Sequence, residues 1–118
     1  MAKRSEFVDY ILEQLAPLGE VTARSMFGGY GIYLDGRMFA LVADDTLYVK
    51  VDDGNRAEFE REGLQPFRYA RTDSEVAVMS YYQPPGAAID DREALCAWAQ
   101  KGVEAATRAA AKPRRRKK

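Results

Sequence analysis

Apolar positions along this chain recur first with a helical period, then with a period of two, and finally with a helical period again. Between Ser5 and Pro17, the residues Phe7, Val8, Ile11, Leu12 and Leu15 fall on one helical face. Ser5 suits the N-cap, Glu6 and Asp9 suit the positively polarised first turn, and Pro17 with Gly19 ends the segment. From Val21 the residues become β-branched or aromatic and alternate. Val21–Phe27, Gly29–Leu34, Arg37–Ala43 and Thr46–Val51 are predicted strands. Asp35-Gly36 between two of them signals a type I′ hairpin, because both central residues of that turn need positive φ. Asp44-Asp45 is a weaker signal for a second one.

Asp52 or Asp53 then caps a short charged helix through Arg56, Ala57 and Phe59, closed by Gly63 at the C′ position. Phe67–Tyr69 and Val76–Tyr82 are predicted strands on either side of a Thr72-Asp73-Ser74 turn. Gln83-Pro84-Pro85-Gly86 breaks the sheet. Asp90, with Glu93 three residues on, forms a capping box for a last helix whose stripe is Leu95, Trp98, Ala99, Val103 and Ala106. The order α-ββββ-α-ββ-α with short antiparallel connections predicts an α+β domain: an antiparallel sheet with flanking helices.

Two-residue turns in both hairpins would set Ile32 opposite Phe39, Tyr30 opposite Leu41, and Leu41 opposite Tyr48. Opposed residues share a face. One face then collects Gly29, Gly31, Tyr33, Met38, Ala40, Val42, Leu47, Val49 and Val51, small and aliphatic enough for helix packing. The other collects Tyr30, Ile32, Phe39, Leu41 and Tyr48, with Arg37, Thr46 and Lys50 at its margins. A sheet with one solvated face should alternate apolar and polar, and this one is apolar on both. Either the helices divide between the two faces, or the aromatic face meets another chain, a protein partner or a second copy.

Composition sharpens the picture. With 118 residues, the chain has room for one domain and one core. The numbers of basic and acidic groups are equal, 18 each, but six of the basic ones lie in residues 112–118, which hold no acidic group. Residues 1–111 therefore form an acidic body with 12 basic and 18 acidic groups, net −6, and 112–118 a cationic tail expected to be disordered. The tail residues Lys112, Arg114, Arg115, Arg116, Lys117 and Lys118 suit non-specific attraction to nucleic-acid phosphates, or simply a solvated end. One cysteine forms no internal disulfide, no run is apolar enough to span a bilayer, and the start Met-Ala-Lys-Arg-Ser is not a signal segment. A cytoplasmic protein is expected.

Catalytic chemistry is hard to find. The chain has no histidine, which removes the commonest general base and metal ligand. Gly31 to Met38 has P-loop glycine spacing, but Arg37 and Met38 stand where Lys and Ser/Thr are needed. Gly28-Gly29-Tyr30-Gly31 has no helix behind it and is no dinucleotide fingerprint. The doublets Asp44-Asp45, Asp52-Asp53 and Asp90-Asp91 sit where aspartate serves turns and caps, though converging doublets would suit a hard cation. Cys96 lacks an activating base and reads as a structural thiol. Arg24 is the odd charge in a strand-like run, an edge projection or an anion contact, and Tyr81-Tyr82 fits core plus strand end. No catalytic residue, cofactor or metal is expected.

The run Arg24 to Tyr33, containing Met-Phe-Gly-Gly-Tyr-Gly, resembles the N-terminal domain of the TfoX/Sxy family, as do Met38-Phe39-Ala40 and Leu47-Tyr48-Val49-Lys50. Pro66-Phe67-Arg68-Tyr69, Met79-Ser80-Tyr81-Tyr82 and the helix with Leu95 and Trp98 extend the match from about Phe7 to Val103. The resemblance implies an α+β domain with a regulatory rather than catalytic role. Its name-giving members are bacterial positive regulators of natural-competence genes, thought to act with the cyclic-AMP receptor protein. Those regulators carry a second, C-terminal domain where this sequence has its basic tail, so the expectation is a stand-alone form. The expected function is a non-enzymatic regulatory module working through protein contacts, in transcriptional regulation. The alternatives are a nucleic-acid-associated protein using its tail, and a small-molecule binder with a pocket between sheet and helices.

Overall fold

Each expected element forms, and most end where local chemistry ends them. A computed structural model describes residues 6–26, 29–70 and 75–111. The chain runs α1 (Glu6–Gln14), β1 (Val21–Met26), β2 (Gly29–Leu34), β3 (Arg37–Ala43), β4 (Thr46–Lys50), α2 (Arg56–Arg61), β5 (Pro66–Ala70), β6 (Glu75–Tyr82) and α3 (Arg92–Ala111). Single 3-10 turns occupy Ala16–Leu18, after α1, and Gly86–Asp90, before α3. The fold is α+β, with one antiparallel six-stranded sheet in the order β1-β2-β3-β4-β6-β5. The predicted Ser5 cap, Phe27, the Thr72-Asp73-Ser74 turn and the 112–118 tail lie outside the described residues.

Helix α2 stops as its glycine predicts. Gly63 takes φ +71°, its N–H reaches the carbonyl of Glu60, and the N–H of Leu64 reaches that of Phe59, the paired bonds of a Schellman cap. The cap of α3 is Asp91 rather than Asp90: Asp91 Oδ1 accepts from the N–H of Ala94 at 3.1 Å. Asp90 is diverted to the hydroxyl of Tyr10, 2.7 Å away, so it ties the helix approach to α1. Asp52 does not cap α2 directly; it accepts from the N–H of Gly54 in the preceding turn, and α2 begins after Asn55.

Both hairpins turn as expected, with Asp35 and Gly36 at φ 55° and 77° and Asp44 and Asp45 at 54° and 55°. The register is where the structure departs from the sequence reading. Tyr33 pairs with Met38 as a two-residue turn requires, but Ile32 pairs with Ala40 instead of Phe39, and Tyr30 with Val42 instead of Leu41. Phe39 is an extra residue in β3, a bulge. Because side chains alternate with a period of two, one added residue exchanges the faces of everything beyond it on β3 and on β4. Leu41 still opposes Tyr48.

The exchange re-sorts the sheet. Ile32, Ala40, Val42, Leu47 and Val49, together with the bulged Phe39, now share one buried face with α1 and α3. Phe59 of α2 packs on Val49, Val51 and Tyr82 of that same face and stacks edge-on against Trp98 of α3, with centroids 5.0 Å apart. All three helices therefore lie on one side. The alternative in which they divide between the two faces does not hold. Helix α3 lies close against the sheet at Gly102, where an added methyl group would stand 2.6 Å from the Phe39 carbonyl oxygen.

Candidate functional site

The other face carries no helix among the described residues, and the side chains upon it cover one another. One row crosses the strands as Arg24, Gly31, Leu41 and Tyr48. A second row pairs Tyr33 with Met38 on one side and Lys50 with Tyr81 on the other. Gly31 is the low point. A methyl there would stand 2.9 Å from the sulfur of Met26 and 3.0 Å from that of Met38 and from Tyr33 Cε1, so these three side chains fold over it. Leu41 is left only 9% exposed without any helix above it.

Aromatic rings and cations are interleaved over this floor. The Arg24 guanidinium lies over the Tyr33 ring, 4.8 Å from its centroid, and the Lys50 ammonium lies 5.4 Å from that of Tyr81. Tyr48 meets Phe67 of β5 edge-on, with centroids 4.9 Å apart. Burial, followed by the neighbouring Tyr33 phenol, pushes the Tyr81 hydroxyl up to about 12. Burial and then Asp44 raise that of Tyr48. These phenols stay neutral at physiological pH and keep their donor hydrogens. No described strand position on this face is a carboxylate.

The candidate interaction face read from the sequence thus breaks in two. Ile32 and Phe39 are 0% exposed, buried under the protein's own helices. Tyr30 packs, partly buried, on the same core. Leu41 and Tyr48 belong to the helix-free side, where Tyr33, Met38, Tyr81 and Phe67 join them. Of the latter set's neighbours, Arg24 stood out in the sequence as the odd charge of a strand-like run, whereas Tyr81 read as core or strand end. What hid the grouping was the unbroken apolar run Met38 to Val42, in which a shift of one residue leaves no polar trace.

The remaining candidates take structural places. Gly31 to Met38 is a strand, a tight turn and a strand. Asp52 holds Arg108 through two bonds of 2.8 Å, which with the Gly54 N–H brings its carboxyl down to about 2. Asp53 pairs with Arg56. Cys96 donates to the Gln14 carbonyl at 3.3 Å, and burial raises its thiol. Between the β2–β3 hairpin and the end of α3, a cleft lined by Leu34, Arg37, Phe39 and Val103 encloses about 20 Å³, room for water rather than a metabolite. No described helix is long and apolar enough to cross a membrane.

The DNA transformation protein TfoX1 of Aliivibrio fischeri is 37% identical over 65 residues, which is 55% of this chain and 31% of that protein. The chain therefore matches about a third of that relative's length. The sequence model of the TfoX N-terminal domain matches residues 13–106, from the end of α1 to the last core residue of α3. That span contains the whole sheet and the face just described, and the chain belongs to the TfoX N-terminal domain family.

Proposed function

We propose that this chain is a non-catalytic regulatory module of the bacterial cytoplasm that acts in transcriptional control, in the setting of DNA transformation that its relative's name denotes. The observation that carries this reading is the helix-free sheet face. A six-stranded sheet with helices on one side and Tyr33, Met38, Leu41, Tyr48, Phe67 and Tyr81 on the other offers a contact surface, and no group of His, Cys, Asp or Glu among the described residues is placed to hold a metal ion. The chain has no histidine and desolvation raises the half-buried Cys96 thiol, which favours recognition over nucleophilic chemistry.

Transcript profiling in the host tests this. Deleting the gene is expected to change a defined set of transcripts, genes for DNA uptake among them. The wild-type chain restores that set, and the double variant Tyr33→Ala/Tyr48→Ala fails to, although circular dichroism shows it folded. Identical transcripts with and without the gene would overturn the regulatory reading. Full restoration by the double variant would remove the sheet face from it.

A further inference from the structure

The chemistry on the helix-free face selects among occupants. A second copy of this chain would bring Arg24 and Lys50 against a surface with the same cations and no carboxylate on its described strands. A ligand that supplies flat rings and negative charge together meets both features of the face. We propose that this face binds a single-stranded nucleic acid, its bases stacking across the strands and its phosphates meeting Arg24 and Lys50. This rests on the reading of that face as the working surface.

Two platforms are in place. The exposed Arg24 guanidinium stands over the Tyr33 ring with its central carbon 4.8 Å from the centroid, and a guanidinium supported by a ring can accept a base on its outer side. The half-buried Tyr48 ring, steadied edge-on by Phe67, is the other. Arg24 and Tyr48 lie in one row, three strand gaps or about 14 Å apart. The floor between them, Gly31 and Leu41, is low and apolar. A duplex keeps its bases stacked on one another and offers no ring face to these platforms, so the surface discriminates by strandedness. Because the body is acidic and the face holds two cations, stacking supplies most of the affinity and the salt dependence is shallow.

Fluorescence anisotropy of labelled 12-nucleotide oligo-dT and oligo-rU, with a mixed-sequence duplex as competitor, tests the assignment. The full chain and a form lacking residues 112–118 are compared, which separates the face from the tail. The truncated form is expected to bind single strands in preference to duplex, with a log–log salt slope near −1.4 for two phosphate contacts, against an added slope of roughly −4 for the six-cation tail. Tyr33→Leu and Tyr48→Leu, which keep apolar bulk but remove the ring, should each weaken binding about tenfold with little change in melting temperature. Arg24→Gln with Lys50→Gln should bring the truncated form's slope close to zero, whereas Arg37→Gln, on the helix side, leaves it unchanged. Binding that vanishes with the tail, ignores the ring variants or prefers duplex overturns the proposal. So does a concentration-dependent dimer in sedimentation that the ring variants abolish. If those variants lose transcript control while no oligonucleotide binds, the regulatory reading stands and the single-strand assignment alone falls.

Discussion

Three backbone positions show how single residues hold this fold, and they differ in sign. Asp45 sits at φ 55° in a turn where glycine is preferred at the second position. Asp45→Gly relieves the left-handed backbone and should stabilise by about 0.5–1 kcal/mol in urea melts, despite the entropy that glycine adds to the unfolded chain. Gly102 works the other way. Alanine is the better helix former by about 1 kcal/mol, but its methyl would lie 2.6 Å from the Phe39 carbonyl oxygen and from Val49 Cγ1, and neither backbone nor buried valine yields cheaply. Gly102→Ala should destabilise by a net of about 1–2 kcal/mol, and an unchanged or higher urea midpoint would show that α3 is free to lift. At Gly29 the obstacle is the Val42 carbonyl oxygen, 2.3 Å from a built methyl, so no side chain enters without shifting β2 on β3.

At the scale of elements, polar side chains fix what apolar burial leaves free to slide. Asn55 is 5% exposed between the end of β4 and α3; its amide donates to the Lys101 carbonyl at 3.0 Å and its Oδ1 accepts from the N–H of Asp52 at 2.8 Å. Asn55→Ala strands buried partners and should cost about 2–3 kcal/mol. Asn55→Asp keeps the acceptor but loses the donor to Lys101, and should recover only part of that loss in the same melts. Elements of this kind were legible in the sequence wherever a residue type had one physical use. Gly63 had to end α2, Asp35-Gly36 had to turn, and Leu95 and Ala99 had to face the core, because nothing else accommodates them. The faces of the sheet were not legible. Alternation assigns faces only if the count of residues is unbroken, and the Phe39 bulge breaks it inside a run that is apolar on either reading. The same blindness applied to the site, since Tyr33 and Tyr48 become neighbours on one surface only through that extra residue.

For the molecule as a whole, the missing histidine and a few shifted groups, Asp52 and Tyr81 most of all, set how stability responds to pH. No side chain has an ordinary pKa between the carboxylates and the cysteine, so the unfolding free energy should be level from about pH 5 to 8, above which the raised Cys96 thiol begins to cost stability as its unfolded counterpart ionises. At the acid edge stands Asp52, drawn down to about 2 chiefly by its bonds to Arg108, which join the start of α2 to the last turns of α3. Its folded value lies below its unfolded one, so its contribution is whole above pH 4 and disappears as pH falls toward 2. The pair is partly solvated, which limits that contribution to about 1 kcal/mol. At the alkaline edge Tyr81, raised to about 12 by burial on the helix-free face, works in the opposite sense. Its unfolded form ionises near pH 10 while the folded form does not, so stability is whole below pH 10 and falls as pH rises toward 12. Urea midpoints measured from pH 2 to 12 should therefore show a plateau with two shoulders. Arg108→Gln should lower the plateau and shrink the acid shoulder without touching the alkaline one, and Tyr81→Phe should shrink only the alkaline one. A strand occupying the sheet face buries Tyr81 further, so saturating oligo-dT should carry the alkaline shoulder to higher pH in the wild type. An alkaline shoulder indifferent to Tyr81→Phe would mean that the phenol is solvated and the face more open than its rings and sulfurs make it.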